Sequence, residues 1–359
     1  MLIFLHDSIG ESVVSESLSE SEISGLEDIA SVIRTGEHLV IGGFSSLKQL
    51  RSYKHLGASA RAAYAGVLSR YSQLNSILSK VSVYAEVVCG GGEPYVDGVS
   101  GQRVIKIPLS FVAKMNLKSP VEIIFEDIGD SNIYEIISRW HTEKTFGVGL
   151  LNRRYRPIHG GGGRACVVYQ DAQALNNVFC ICVTDTDKKY PAAACGPTSA
   201  KVREVDDAFK VLSFHLDLNF HEIENLLPLS FLESNSSSRH AAEIISKLRL
   251  AEANGYPEAK LFLDFKQGIK LCYLRINADA MRYWGAALSL PGVACGTQAE
   301  VRDCTCEVIK PWPSKAEIRA QINSLARIIP DECPVLDSLW KDIGSTLMSW
   351  SAAAAPRMV

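Results

Sequence analysis

Two short apolar runs in the middle of the chain each end abruptly in carboxylates. Residues 178–187 are mostly β-branched or aromatic until Asp185 and Asp187, a pattern typical of a buried strand of a parallel sheet. Residues 120–128 form a second such run, which reaches an acidic residue at Glu126. Because open α/β sheets bind ligands beyond the carboxyl ends of their strands, the two run ends are candidate functional positions.

The residues between these runs alternate between helix and strand patterns. After the polar cap residue Asp130, apolar side chains recur at helical spacing as far as Trp140. Residues 146–151 predict a short strand, the four glycines at 160–163 a loop, and residues 165–175 a second helix. The order strand, helix, strand, glycine loop, helix, strand predicts an α/β fold with a central parallel sheet and flanking helices.

The spacing of Asp185 and Asp187 indicates a metal site. Residues two apart at a strand end share a face, so both carboxylates can reach one cation. Adjacent carboxylates repel each other unless a positive charge lies between them, and Mg²⁺ favours oxygen ligands of this kind. Glu126 is the candidate third carboxylate because it ends a neighbouring strand.

These motifs resemble a known domain family. The acid at Glu126 and Asp127, the glycine loop at 160–163 and the Asp185-Thr-Asp187 motif are similar to the TOPRIM domain, most closely that of OLD-type nucleases and related bacterial phage-defence proteins. The resemblance covers residues 119–230. Within it, residues 221–228 are similar to the acidic, apolar helix that often follows the metal strand in such nucleases.

Two positions depart from the pattern of the family. Asp127 stands where many members have glycine, and Lys189 stands where topoisomerase and primase relatives often have another acid. Both departures favour a nuclease over topoisomerase or primase chemistry. That chemistry would also need a nucleophilic tyrosine or a nucleotide site, and no motif supports such a role for the nearby tyrosines.

The resemblance implies hydrolysis of phosphodiester bonds with Mg²⁺ or Mn²⁺ as cofactor. Glu126 would act as metal ligand or general base, and Asp185 and Asp187 would hold the metal. Glu224 would be a further ligand, and Glu222 in the same motif would contact the metal or its ligands; a packed amphipathic helix is the alternative interpretation of that motif. A lysine aimed at the phosphate would assist. Lys188, Lys189 and Lys201 follow the acids closely and Lys266 is more distant. Lys189 is a candidate catalytic residue and Lys266 a candidate contact to the substrate phosphate, but the sequence does not choose among the four lysines.

Substrate phosphates would need local basic clusters, because the net charge of the chain is only −3. Arg153, Arg154 and Arg156 precede the glycine loop, near the predicted carboxyl end of the sheet, and Arg164 follows the loop. A solvated loop is the alternative interpretation of the arginine cluster. The glycine loop lacks the G-x-x-x-x-G-K-[ST] pattern, which favours a tight turn over a nucleotide pocket.

Composition limits the class of protein. The 359 residues are 47% hydrophobic and include ten cysteines with no C-x-x-C pair, which favours cysteines packed as small apolar residues over a zinc site. No apolar run reaches the ~18 residues that span a bilayer, and the first residues lack a basic leader. We expect a cytoplasmic protein with reduced thiols and no membrane partner.

The chain divides into four predicted segments. Residues 1–118 predict an α/β domain for partner or substrate recognition, 119–230 the catalytic domain, 231–350 a mostly helical region and 351–359 a disordered tail. Within these segments the patterns predict a loop or frayed helix at 11–22, helices at 58–80, 237–253, 314–329 and 337–350, and strands at 2–7, 81–89, 103–107, 261–265 and 270–276.

The functional expectation is a metal-dependent nuclease acting on DNA or on RNA such as tRNA, as the effector of a bacterial antiphage system. No ATPase motif is present in the sequence, so a separate sensor or ATPase protein is the expected partner. Whether the protein forms an oligomer stays open. The alternative is a non-catalytic scaffold or regulatory subunit that keeps the TOPRIM fold.

Overall fold

The structure is a computed structural model and describes residues 1–97, 101–149, 151–234, 238–290, 305–312 and 333–354. The chain is a mixed α/β protein in which helices flank sheets of mainly parallel strands. The strands are β1 Leu2–Leu5, β2 Leu39–Gly42, β3 Val83–Val88, β4 Tyr95–Asp97, β5 Arg103–Pro108, β6 Val121–Phe125, β7 Asn152–Arg153, β8 Tyr155–His159, β9 Cys180–Asp185, β10 Ser213–Leu218, β11 Ile269–Lys270, β12 Glu307–Ile309 and β13 Ala352–Ala353.

The helices pack on both sides of these strands. They are α1 Asp7–Val14, α2 Glu20–Thr35, α3 Phe44–Leu50, α4 Ala58–Leu68, α5 Tyr71–Leu78, α6 Leu109–Val112, α7 Ser131–Phe146, α8 Ala165–Leu175, α9 Pro197–Val205, α10 Leu229–Ser234, α11 Arg239–Ala253, α12 Leu271–Ile276, α13 Ala278–Ala287 and α14 Pro334–Ser351. None of the helices in the described ranges is long and apolar enough to cross a bilayer.

The N-terminal sheet has the strand order β2-β1-β3-β5-β4, and only β4 runs antiparallel to its neighbour. The strands predicted near residues 2–7, 81–89 and 103–107 are confirmed as β1, β3 and β5. The expectation of a loop or frayed helix at 11–22 is wrong, because α1 and α2 cover much of that range. Ser19 accepts a hydrogen bond from Glu22 N while Glu22 accepts one from Ser19 N, a capping box that fixes the start of α2.

The second sheet has the order β10-β9-β6-β8, and all of its strands are parallel. The predicted strands before Glu126 and Asp185 and the predicted helix at 165–175 are confirmed. The strand predicted at 146–151 is wrong, because α7 continues to Phe146 and ends at Gly147 with a φ of 78°. The neighbouring strand of β6 is β8 instead.

The C-terminal helix α14 joins the two sheets in one hydrophobic core. Trp350 stacks on Phe214 of β10 with ring centroids 6.0 Å apart. The N-terminal ammonium of Met1 donates to the carbonyl of Ala352 at 2.8 Å, and β13 pairs with β7. The expectation of a disordered tail from residue 351 is therefore wrong for residues 351–354, and residues 355–359 lie outside the described ranges.

The region after residue 230 is mostly helical within the described ranges, as predicted. The helices expected at 237–253 and 337–350 are confirmed as α11 and α14, whereas the helix expected at 314–329 lies outside the described residues. The strands expected at 261–265 and 270–276 are wrong, because a 3-10 turn at Ala259–Phe262 and helix α12 occupy most of these positions. The helix expected at 58–80 is two helices, α4 and α5.

Candidate metal centre

A cavity of about 240 Å³ opens at the carboxyl edge of the second sheet. Carboxylates that follow β6, β9 and β10 converge there, together with one lysine and one histidine. The ionisable residues that line the cavity are Glu126, Asp127, Asp130, His159, Asp185, Asp187, Glu222, Glu224 and Lys266. The structure therefore brings together the four acids that the sequence selects as metal ligands.

The glycine loop holds the backbone of Glu126 at the end of β6. Gly160 N donates to the carbonyl of Phe125 at 2.7 Å, and Gly162 N donates to the carbonyl of Glu126 at 3.0 Å. A Cβ on Gly160 would lie 2.7 Å from the Phe125 carbonyl oxygen, so a side chain at this position would break the close approach. The loop acts as the tight turn that the sequence predicts, followed directly by a 3-10 turn and α8.

The second pair of acids lies where β9 ends. The backbone of Asp187 has a φ of 51°, which is uncommon for a residue other than glycine, and its N–H donates to the carbonyl of His221 at 3.2 Å. A Cβ on Gly196 would lie 2.6 Å from Asp187 Cβ. The position of the Asp187 side chain therefore depends on a glycine at 196.

Glu222 and Glu224 reach the cavity from a buried connection after β10. The predicted helix at 221–228 is wrong, because only a 3-10 turn forms there, at Ile223–Leu226. Asn225 fixes this turn: its amide nitrogen donates to the carbonyls of Lys260 and Leu263 at 2.6 and 2.9 Å, and its amide oxygen accepts from Glu222 N at 2.6 Å. The turn is rigidly tied to residues 260–263.

The clustered acids strongly perturb one another. Burial, followed by the charges of Glu126 and Asp187, raises the pKa of Asp185 to about 9. Burial and the charge of Asp187 also raise the pKa of Glu126. The Glu126 Oε2 atom is buried, and none of the described residues donates a hydrogen bond to it. A buried carboxyl oxygen is costly unless it meets a hydrogen-bond donor, a positive charge or a proton, and a cation would supply positive charge to several of these acids at once.

The donor set fits a divalent cation with a preference for oxygen. Carboxylate oxygens are the ligands that Mg²⁺ and Mn²⁺ favour, and the structure supplies Glu126, Asp185, Asp187 and Glu224 in one cavity. These residues could hold the ion without thiolate ligands, because none of the cysteines in the described ranges lines the cavity.

The lysine in the cavity is Lys266. Its ammonium forms an ion pair with Glu222 Oε2 at 2.7 Å, and the side chain as a whole is 54% exposed. Lys189 points elsewhere: it pairs with Asp264 Oδ2 at 3.4 Å and lies 5.6 Å from the centre of the Tyr273 ring. Of the two lysines that the sequence singles out, Lys266 is the one that lines the cavity.

The arginines predicted to contact phosphate lie away from the cavity. Because β8 runs parallel to β6 and Tyr155 pairs with Val121, residues 153–156 lie at the amino end of the sheet, and the expected location at the carboxyl end is wrong. The three arginines form ion pairs with acidic side chains, in the pairs Arg153–Glu135, Arg154–Glu37 and Arg156–Glu122. Arg164 is exposed at the end of the 3-10 turn after the glycine loop, outside the cavity lining.

A second group of possible ligands, His221, Glu222 and Asp264, lies beside the cavity with ligand atoms within 4.8 Å of one another. Here the charges are already balanced. Although burial acts to raise it, the pKa of Asp264 falls to about 2 because of His221, backbone hydrogen bonds and Lys189. Glu222 accepts from Phe265 N at 2.9 Å in addition to its pair with Lys266. This group therefore has less need of a cation than the Asp185 cluster.

Sequence patterns do not select several residues of the cavity. Asp130 is predicted only as a helix cap, and His159, which directly precedes the glycine loop, has no predicted role. In the structure His159 Nδ1 accepts from Ile128 N at 3.2 Å. His159 could be found only from its position at the end of a strand, because it ends β8 just as Glu126 follows β6. The incorrect prediction of a strand at 146–151 instead of β8 hides this shared position.

No family model, curated protein or solved structure matches the chain.

Proposed function

We propose that this protein is a divalent-metal-dependent nuclease of the TOPRIM type. The observation that carries the proposal is the convergence of Glu126, Asp185, Asp187 and Glu224 at the carboxyl edge of a parallel sheet, with Lys266 beside them. The resemblance of the Glu126 and Asp185-Thr-Asp187 motifs to TOPRIM nucleases supports the assignment of the reaction class.

The acids that the sequence selects have distinct roles in the proposed phosphodiester hydrolysis. Asp185, Asp187 and Glu224 would hold Mg²⁺ or Mn²⁺. When bound, the metal polarises the scissile phosphate and lowers the pKa of the attacking water. Glu126 lies in the same cavity and would act as a further metal ligand or accept the proton of that water.

Lys266 neutralises charge on the phosphate. In the absence of substrate its ammonium pairs with Glu222, and a phosphate oxygen can share the exposed part of the same ammonium. Preorganised cations of this kind stabilise the charge that develops in the transition state. Because Lys189 pairs with Asp264 outside this cavity, we assign the phosphate-binding role to Lys266.

The biological setting rests on the resemblance to phage-defence nucleases. We propose that the protein is the effector of a bacterial antiphage system and that a separate sensor or ATPase protein controls it. DNA and structured RNA such as tRNA are both substrates of this chemistry, so an assay needs to contain both.

The proposal is tested by incubating the purified full chain with plasmid DNA and with total tRNA, in Mg²⁺, in Mn²⁺ and in EDTA. An Asp185→Ala/Asp187→Ala variant is the inactive form, and Asp171→Ala, at an exposed position of α8, is the matched control. Metal-dependent cleavage that the double variant loses and Asp171→Ala keeps would support the nuclease. Cleavage that survives the double substitution would refute the site assignment.

A further inference from the structure

A second cavity, of about 280 Å³, lies beside the carboxylate cavity and has a different character. Its lining combines aromatic rings, two lysines and one exposed amide side chain. The lining residues are Lys189, Phe262, Asp264, Gln267, Gly268, Ile269, Lys270, Tyr273 and Trp284. Its volume is near the lower end of the ~300–1,000 Å³ typical of small-molecule sites, which suits a ligand the size of one nucleobase.

Two short backbone segments connect the cavities. In the first, Asp187 lines the carboxylate cavity and Lys189, two residues later, lines the aromatic one. Two residues of chain span at most ~7 Å. In the second, Asp264 lines the aromatic cavity and Lys266 the carboxylate cavity, and Asp264 Oδ1 accepts from Lys266 N at 3.0 Å. The two cavities are therefore close enough for one nucleotide unit to extend from one cavity into the other.

Tyr273 supplies the aromatic surface of this cavity. Its ring is half-buried, and the Lys189 ammonium lies over one face of the ring, 5.6 Å from its centre, so a base would stack on the opposite face. Trp284 is fully buried, and its indole N–H donates to the carbonyl of Lys189 at 2.7 Å, so it holds the Lys189 backbone in place. Proteins that bind single-stranded nucleic acid combine aromatic side chains, which stack with bases, and nearby cations, which contact the phosphates.

Polar groups around the ring can contact the edge of a base. Gln267 is exposed and its amide can both donate and accept hydrogen bonds. Asp264 has both oxygens engaged, by Lys189 and His221 on one oxygen and by the backbone N–H groups of Lys266 and Gln267 on the other. It therefore serves to fix the position of Lys189.

We propose that the aromatic cavity binds one unpaired nucleobase of the substrate, stacked on Tyr273, while the neighbouring phosphodiester lies over the carboxylate cavity. This inference rests on the proposed nuclease function. It specifies the substrate class as a nucleic acid with at least one base outside a helical stack, either single-stranded or extruded from a duplex. The faces of a base are the same in DNA and RNA, so the cavity by itself serves both.

The experiment measures base stacking without cleavage. Short single-stranded DNA and RNA oligonucleotides that carry 2-aminopurine are titrated with the full chain in EDTA, and quenching of the 2-aminopurine fluorescence gives the dissociation constant. Tyr273→Ala is expected to weaken binding by about 5- to 150-fold, which corresponds to the loss of one base–aromatic stack. Tyr273→Phe keeps the ring and is expected to bind like the unmodified chain.

Tyr273→Leu serves as a second variant if Tyr273→Ala fails to fold, since it keeps an apolar side chain and removes the aromatic face. Folding is checked by thermal unfolding. Equal dissociation constants for the unmodified chain and the Ala or Leu variant would overturn the proposal, as would an absence of quenching. The oligonucleotide with the lower dissociation constant identifies DNA or RNA as the better ligand.

The outcome is independent of the nuclease test, because EDTA removes the metal. Tyr273-dependent quenching together with cleavage that survives Asp185→Ala/Asp187→Ala would support the base site and refute the proposed reaction centre. Metal-dependent cleavage together with Tyr273-independent binding would overturn the base site alone.

Discussion

Replacing Asp185 with asparagine should alter the pH dependence of stability of the metal-free protein. Burial and neighbouring carboxylates raise the pKa of Asp185 from 3.8 to about 9 in the folded state. The folded protein therefore binds this proton more tightly than the unfolded chain does. The stability that results is complete below about pH 4 and is lost progressively as the pH rises towards 9.

The magnitude follows from linkage. Between these limits the folded and unfolded states differ by one proton, which changes the free energy of unfolding by ~1.4 kcal/mol per pH unit. From about pH 5 to about pH 7 the loss attributable to Asp185 is therefore roughly 3 kcal/mol. The Asp185→Asn variant has no ionisable group at this position, so its stability should fall by that much less over the same range.

The assay is urea unfolding in EDTA at several pH values, with Asp171→Asn as the control at an exposed position. The free energy of unfolding of the control should change with pH as that of the unmodified protein does, because Asp171 lies outside the carboxylate cavity. Addition of Mg²⁺ should restore stability at pH 7 to the unmodified protein much more than to Asp185→Asn, since only a ligand that binds the folded state stabilises it. If the free energy of unfolding of the unmodified protein and of Asp185→Asn changed with pH in the same way, the raised pKa of Asp185 would be refuted.

Three further substitutions test other parts of the site. Gly196→Ala should weaken Mn²⁺ binding by about 10-fold or more, because the added methyl group collides with Asp187 Cβ. In the control Gly163→Ala the new Cβ meets no atom within 4 Å, so the Mn²⁺ affinity measured by calorimetry should not change. Equal Mn²⁺ affinities for the two variants would contradict the role of Gly196. Asn225→Ala should lower the free energy of unfolding by ~2–4 kcal/mol, because it leaves buried backbone groups without partners; a urea midpoint that does not move would contradict this. Lys266→Met should lower kcat for cleavage by about 100-fold while Mg²⁺ still raises the melting temperature, and an unchanged kcat would remove Lys266 from the reaction.

The sequence predicts the strands that carry the acids because both are central and buried. β6 is apolar apart from Glu122, β9 has no charged residue before Asp185, and each has a parallel neighbour on both sides; such strands leave a clear hydrophobic signal. The helix α8 is equally readable, since the glycine loop precedes it and Asn176, with a φ of 44°, ends it. Local pattern and tertiary environment agree at these positions.

The edge strand β8 gives no such signal. Its residues, Tyr155 to His159, are all partly or fully exposed and include Pro157, which is tolerated at a sheet edge. The apolar residues just before it therefore look more like a strand than β8 itself does. A strand placed at 146–151 puts the three arginines at the wrong end of the sheet, and their acidic partners lie far apart in sequence, at Glu37, Glu122 and Glu135.

The choice between Lys189 and Lys266 also lies beyond sequence patterns. Lys189 is two residues from Asp187, yet Asp264 draws it into the neighbouring cavity. Lys266 is distant in sequence, and its position depends on residues 260–263, which Asn225 ties to the Glu222 turn. Contacts of this kind come from the packing of separate segments and have no local periodicity.

Titration of Mn²⁺ into the full chain, followed by electron paramagnetic resonance of the unbound ion, tests the central claim most directly. The claim is that Glu126, Asp185, Asp187 and Glu224 form a divalent metal centre. We predict saturable binding by the unmodified protein and by Asp171→Ala, and loss of that binding in Asp185→Ala/Asp187→Ala. Equal Mn²⁺ binding by the double variant and the unmodified protein would contradict the assignment of the metal centre.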